Sequence, residues 1–168
     1  MNKINLNLLI LAFILLPLTA KASCRLGVGE ENLTVARVMR NFGSFTLAAD
    51  SITLRSTNPW GHEETTEVEM GEAIDKLNLA IGCAEEVLKD PTGDVLPSKI
   101  SSMTDEKEKA ELVDDYVYFM TDFKDGLLEY REIFRKLQTQ KPANRNFKEA
   151  KSKLDDLNEI VDRAHRKL

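Results

Sequence analysis

Two donor atoms set the chemistry open to this 168-residue chain: the thioether sulfur of Met39 and the imidazole of His165. His165 stands one position off an apolar seam of Phe147, Ala150, Leu154, Leu157, Val161, Ala164 and Leu168, spaced three and four apart. Met39 flanks a similar seam, Val35, Val38, Phe42, Phe45, Ala49 and Ile52. Such spacing marks helices that bury one narrow stripe against other helices. Both donors therefore sit beside packed faces. A thioether and an imidazole together are an axial ligand pair for haem iron, one on each side of the macrocycle. The pocket for it is apolar and aromatic, and Phe42, Tyr116 and Phe119 are the candidates to line it. No Cys-x-x-Cys-His run is present, so the group expected is a non-covalent haem b (iron protoporphyrin IX).

Each donor has a plainer rival role. A methionine beside a seam commonly fills a gap between helices. A histidine at a helix end complements the helix dipole, although Arg163, Arg166 and Lys167 already do that here. Met70 is expected at the opposite end of the domain and Met120 off its helix's stripe, so both rank below Met39. His62, followed by Glu63 and Glu64, reads as an exposed polar loop. The Glu-x-x-His pairs of a di-iron carboxylate bundle are missing. No nucleophile, base and orienting group can be assembled either, so the expectation is a carrier and not an enzyme.

The elements that position these residues begin after a leader. Lys3, the apolar run Leu8 to Leu18 and the small-x-small site Ala20-Lys21-Ala22 have the anatomy of a secretory signal peptide at residues 1–22. The run is too short for a comfortable membrane anchor. A lipoprotein would need a Leu-x-small pattern before Cys24, and Lys21-Ala22-Ser23 is not one. An exported periplasmic protein at residues 23–168, one domain in length, is expected. The whole sequence carries a net charge of −5, and removing Lys3 and Lys21 makes it more negative. Basic residues form a block only in the last turn of the final helix, so nucleic acid is not expected as a partner. In an oxidising compartment the two cysteines, Cys24 and Cys83, are expected to pair as a disulfide.

Four helical stretches follow. The first runs from about Glu31 to Arg55, and its Gly43 either costs about 1 kcal/mol relative to alanine or permits a neighbour's close approach. Asn58-Pro59-Trp60-Gly61 is a breaker cluster. The second helix spans about Thr65 to Lys89, on a stripe of Met70, Ile74, Leu77, Ile81, Ala84 and Leu88. Asp90-Pro91-Thr92-Gly93 stops it, and a loop long enough to fold over one end of the domain leads to Met103. Thr104 is the candidate cap of a third helix. Its stripe is Leu112, Tyr116, Phe119, Phe123, Gly126, Tyr130, Ile133 and Leu137. Pro142 and Asn144 mark the last loop, and Phe147 opens the fourth stripe. Short connections favour antiparallel neighbours, hence an all-α, up-down-up-down four-helix bundle. That topology gathers Cys24, Met39, Cys83, Tyr116, Phe119 and His165 at one end.

The last segment, from Phe147-Lys148-Glu149-Ala150 through Leu157 to His165-Arg166-Lys167, resembles the final helix of the soluble cytochrome b562 family. The Lys-Glu-Ala start, the leucine eight residues before the histidine and the His-x-Lys ending match without a gap. Val35, Met39 and Phe42 are similar to the family's first-helix pattern of apolar residue, ligand methionine and apolar residue. The middle helices match in length and amphipathicity only. The resemblance implies that Met39 and His165 are the axial ligands, and that the chain is a monomeric periplasmic electron carrier serving a redox partner protein. The chain departs from the family at Val161, where an arginine is typical, in two longer connections, and in its cysteine pair. A haem-free periplasmic bundle engaged in protein interaction or stress protection is the alternative expectation.

Overall fold

The computed structural model describes Cys24, residues 34–59 and residues 64–168. The expected leader at 1–22, Trp60 and His62 lie outside the described residues. Five helices pack against one another: α1 (Val35–Thr57), α2 (Glu67–Lys89), the short α3 (Ser98–Ser101), α4 (Glu106–Gln138) and α5 (Lys148–Lys167). No strand occurs among the described residues, and no helix there is long and apolar enough to cross a membrane.

Local chemistry fixes where the helices begin. Thr34 caps α1, its hydroxyl accepting from the Arg37 amide at 3.4 Å, so this helix starts later than the expected Glu31. Thr66 and Glu69 form a reciprocal capping box at α2: each side chain accepts from the other residue's backbone amide, satisfying donors that a helix start leaves orphaned. At α4 the cap is Asp105 and not the expected Thr104. Its carboxylate accepts from the amides of Lys107 and Glu108 at 2.9 and 3.0 Å, and an ionised acceptor is favoured at the positive end of the dipole.

Packing runs α1 on α2, α2 on α4 and α4 on α5, whereas α1 meets α5 far less extensively. Side-chain pairs give the register. Arg55 reaches Glu69 at 2.5 Å and Arg131 reaches Asn78 at 3.0 Å. Lys153 meets Glu129 at 2.5 Å, and Lys167 meets Asp115 at 3.2 Å. The core between α2 and α4 combines the alanines Ala73, Ala80 and Ala84 with fully buried Met70, Leu77, Tyr130 and Phe134. Small residues on one helix admit large ones from its neighbour, which is how interiors reach close packing. Tyr130 and Phe134 meet edge to face at 5.2 Å, a favoured arrangement for ring quadrupoles.

Cys24 and Cys83 are joined by a disulfide, with Cα atoms 4.5 Å apart. Cys24 is further held by Asn41 Nδ2, which donates to its carbonyl at 2.6 Å, and by its own amide, which donates to Glu86 at 2.9 Å. The residue thus ties α1 to α2.

The segment between α2 and α4 carries structure beyond the expected loop. It holds a 3-10 turn (Gly93–Val95) and α3, and it buries Val95, Leu96 and Ile100. Tyr116 donates its hydroxyl to the Val95 carbonyl at 3.0 Å, and Lys99 Nζ donates to the Lys167 carbonyl at 3.0 Å. The short helix follows from Pro97, whose fixed φ suits a helix start, and from the apolar anchor Ile100.

Two expectations about single residues are corrected. A Cβ added to Gly43 would meet nothing within 4 Å, so no neighbour closes on it. The close approach is at Gly126, where a Cβ would stand 2.7 Å from Leu157 Cδ2. Met120 is 7 % exposed and belongs to the inward face of α4, while Phe119 and Phe123 are half-buried. A helical face one residue wider than the seam brings Met120 inward together with Tyr116.

Candidate functional site

Because α1 and α5 meet sparsely, an open-sided cleft of about 420 Å³ remains between them, floored by α4. That size lies within the range of small-molecule sites, roughly 300–1,000 Å³. α1 contributes the face Val35, Met39, Phe42, Gly43, Thr46 and Asp50, whose helical spacing keeps them in line over about 22 Å of rise. From α4 come Tyr116, Phe119, Met120 and Phe123, the first and last set two turns apart. α5 supplies Leu154, Leu157, Val161, Ala164, His165 and Leu168.

Met39, His165, Phe42, Tyr116 and Phe119 all line this one cleft. Met39 is 41 % exposed and His165 is exposed, so both donors stand at its rim and not within the core. Phe42 is buried and meets Phe123 edge to face at 5.0 Å, forming an aromatic wall between α1 and α4. The α5 wall is held against α4 by Lys167 and Asp115 and by the more distant pair of Arg163 and Asp122 at 3.9 Å. Surface pairs of this kind contribute at most about 1 kcal/mol each. They fix the angle of α5 more than its stability.

Among the described residues three ionisable side chains line the cleft: His165 at the rim, Tyr116, and Asp50. Burial pushes the Tyr116 phenol up to about 12, and its proton is already committed to the Val95 carbonyl. Asp50 is pushed above the ordinary carboxylate range by burial, against the pull of hydrogen bonds with Thr46 and Tyr130. Its Oδ1 is buried and has no hydrogen-bond partner among the described residues. Among the described residues no lysine, arginine or glutamate lines the cleft.

Asp50, Thr46 and Met120 were not among the expected lining residues. The spacing Met39, Gly43, Thr46, Asp50 runs along one helical face and is the signal that places Asp50 in the cleft. The disulfide partners Cys24 and Cys83 stand apart from the cleft and act on the fold. Among the described residues no three His, Cys, Asp or Glu side chains converge as a protein-only metal site would require. Comparison of the chain with protein-family models, with curated proteins and with solved structures returns no match.

Proposed function

We propose that the cleft holds one non-covalent b-type haem and that the chain is a periplasmic electron carrier of the cytochrome b562 type. One observation carries this reading: the thioether of Met39 and the imidazole of His165 lie on different helices yet line the same apolar, aromatic cleft. The donor chemistry fits the group, because iron in a porphyrin takes one such ligand on each face. When bound, the haem takes up and returns one electron. Met39 on α1 and His165 on α5 would be the residues that hold its iron. Phe42, Phe119 and Phe123 would keep water from the bound group, and nothing stands within 4 Å of a Cβ at Gly43 on the same wall. No substrate bond is made or broken, so the proposed role is that of a carrier and not an enzyme. A redox partner protein approaches the exposed rim.

The proposed architecture is an antiparallel up-down-up-down four-helix bundle built from α1, α2, α4 and α5. Its support is that contact partners fall in number on one helix as they rise on the next: Arg55 with Glu69 and Ser56 with Thr65, then Glu129 with Lys153 and Asp115 with Lys167. Export rests on the leader-like residues 1–22 and agrees with a disulfide, which persists in oxidising compartments.

The test is spectroscopic. Purified protein supplied with haem is expected to show a sharp Soret band, and both Met39→Ala and His165→Ala should shift it and weaken haem retention. A protein that stays colourless under these conditions overturns the reading. A haem-free interaction bundle is the second reading, favoured by the α2–α4 core and the disulfide, which are complete without any group in the cleft.

A further inference from the structure

Asp50 has no part in ligating a haem. It lies about three helical turns, or about 16 Å, beyond Met39 along the same face of α1. A carboxylate there is costly. Its walls are mostly apolar, its Oδ1 lacks a partner among the described residues, and the one basic side chain among the described lining residues, His165, is exposed at the rim. Thr46 and Tyr130 nevertheless hold it in place, so the group is oriented as well as buried. Such an acceptor attracts a donor that brings positive charge with it, and repels an anion. Asp50 lines the cleft, and two helical turns nearer Met39 nothing stands within 4 Å of a Cβ at Gly43. The long, mostly apolar face running from Asp50 to Val35 suits an extended hydrocarbon, Thr46 being its one other polar side chain among the described lining residues.

From this arrangement we infer that the inner end of the cleft binds the ammonium group of a protonated long-chain primary amine. Asp50 Oδ1 accepts one ammonium N–H, and the apolar faces of α1, α4 and α5 cover the alkyl chain. A fatty acid of the same length places its carboxylate against Asp50, or leaves it toward the rim and His165 with Asp50 unpartnered. The chemistry therefore discriminates by charge and not by chain length.

The experiment is calorimetric titration of haem-free full-length protein at neutral pH with decylamine and with decanoate, each below its aggregation concentration. Decylamine is expected to bind at least about tenfold more tightly than decanoate, the factor that one charge-assisted hydrogen bond supplies. Asp50→Asn should weaken decylamine about tenfold or more, and leave decanoate unchanged or tighter. Decanoate binding as tightly as decylamine, or decylamine indifferent to Asp50→Asn, overturns the proposal. Should the variant fail to fold, the unaltered protein decides. The carboxyl carbon resonance of Asp50 should move on adding decylamine, and an unmoved resonance at saturation overturns the assignment. None of these readouts involves haem, so the failure of the haem reading and the failure of this one are separately visible.

Discussion

The Thr53 hydroxyl lies 2.7 Å from the Tyr130 hydroxyl, both residues fully buried, in a side-chain bond that joins α1 to α4. Burial raises the Tyr130 phenol well above its usual range, and Asp50 adds to the rise through its charge and its hydrogen bond. Thr53, Tyr130 and Asp50 therefore form one polar cluster between α1 and α4. Thr53→Val leaves the phenol short of a partner and is expected to destabilise the fold by about 1–3 kcal/mol. Because the two groups share one bond, the double variant Thr53→Val/Tyr130→Phe should cost less than the two single changes summed. Urea denaturation of the four proteins measures this. Strict additivity would mean that the bond is absent in solution.

The disulfide of Cys24 and Cys83 closes a loop with a sequence separation of 59 residues. Constraining an unfolded loop of that length is worth about 4 kcal/mol in the chain-entropy model. Cys24→Ser/Cys83→Ser is expected to lower the urea midpoint accordingly while the folded protein keeps its helical circular dichroism. The bond also holds Cys24 where Asn41 Nδ2 donates to its carbonyl. An unchanged midpoint would show that the two thiols do not pair in the purified protein.

Gly43 and Gly126 both lie inside helices, and alanine is intrinsically better there by about 1 kcal/mol. At Gly43 the new methyl meets nothing within 4 Å, so Gly43→Ala should gain most of that preference. At Gly126 it would stand 2.7 Å from Leu157 Cδ2, and the buried Leu157 must shift to admit it. Overpacking of this kind costs about 1–3 kcal/mol. Gly126→Ala is thus expected to be the less stable of the two, a ranking that thermal melts can read. Equal melting temperatures would contradict the packing of α4 on α5.

Two carboxylates carry pH dependence of opposite sign. The Thr66 backbone amide, then Arg55 and the Thr66 hydroxyl, hold Glu69 down at about 2. The unfolded chain binds the proton more readily there, so this contribution is present above about pH 4.5 and is lost as pH falls toward 2. The Glu69 side chain is more than a third exposed, and solvent screening limits the effect to less than about 1 kcal/mol. Asp50 is raised, so the folded state holds its proton more tightly, and stability falls as pH rises from 3.8 through the folded value. Denaturation midpoints of Glu69→Gln should lie below those of the unaltered protein at neutral pH and converge with them near pH 2. Asp50→Asn should lose none of its stability at neutral pH relative to acid. Parallel curves for all three proteins would contradict both assignments.

What the chain determined by itself is everything carried by local order. Periodic apolar residues specify a helical fold, since a three-four repeat can bury a stripe in no other way. Cap chemistry placed helix starts to within a few residues; at Asp105 the stronger, ionised acceptor displaced Thr104. The pairing of Cys24 with Cys83 also followed from sequence, because only two cysteines were present. The grouping of Met39, His165, Phe42, Tyr116 and Phe119 was legible as well, each standing on or beside a seam.

The tertiary structure decided which faces close and which stay apart. Nothing local distinguishes the α1 face that packs on α2 from the face that α5 leaves open, because both are apolar stripes on one helix. That choice depends on how α4 and α5 lock through Gly126 and Leu157, and on α3, held by Pro97 and Ile100, bearing down on the end of the domain. Asp50 shows the same limit. A single acid beside a seam reads as solvated surface until its neighbours across space are known, and only the assembled helices turn its Oδ1 into a buried acceptor within an apolar cleft.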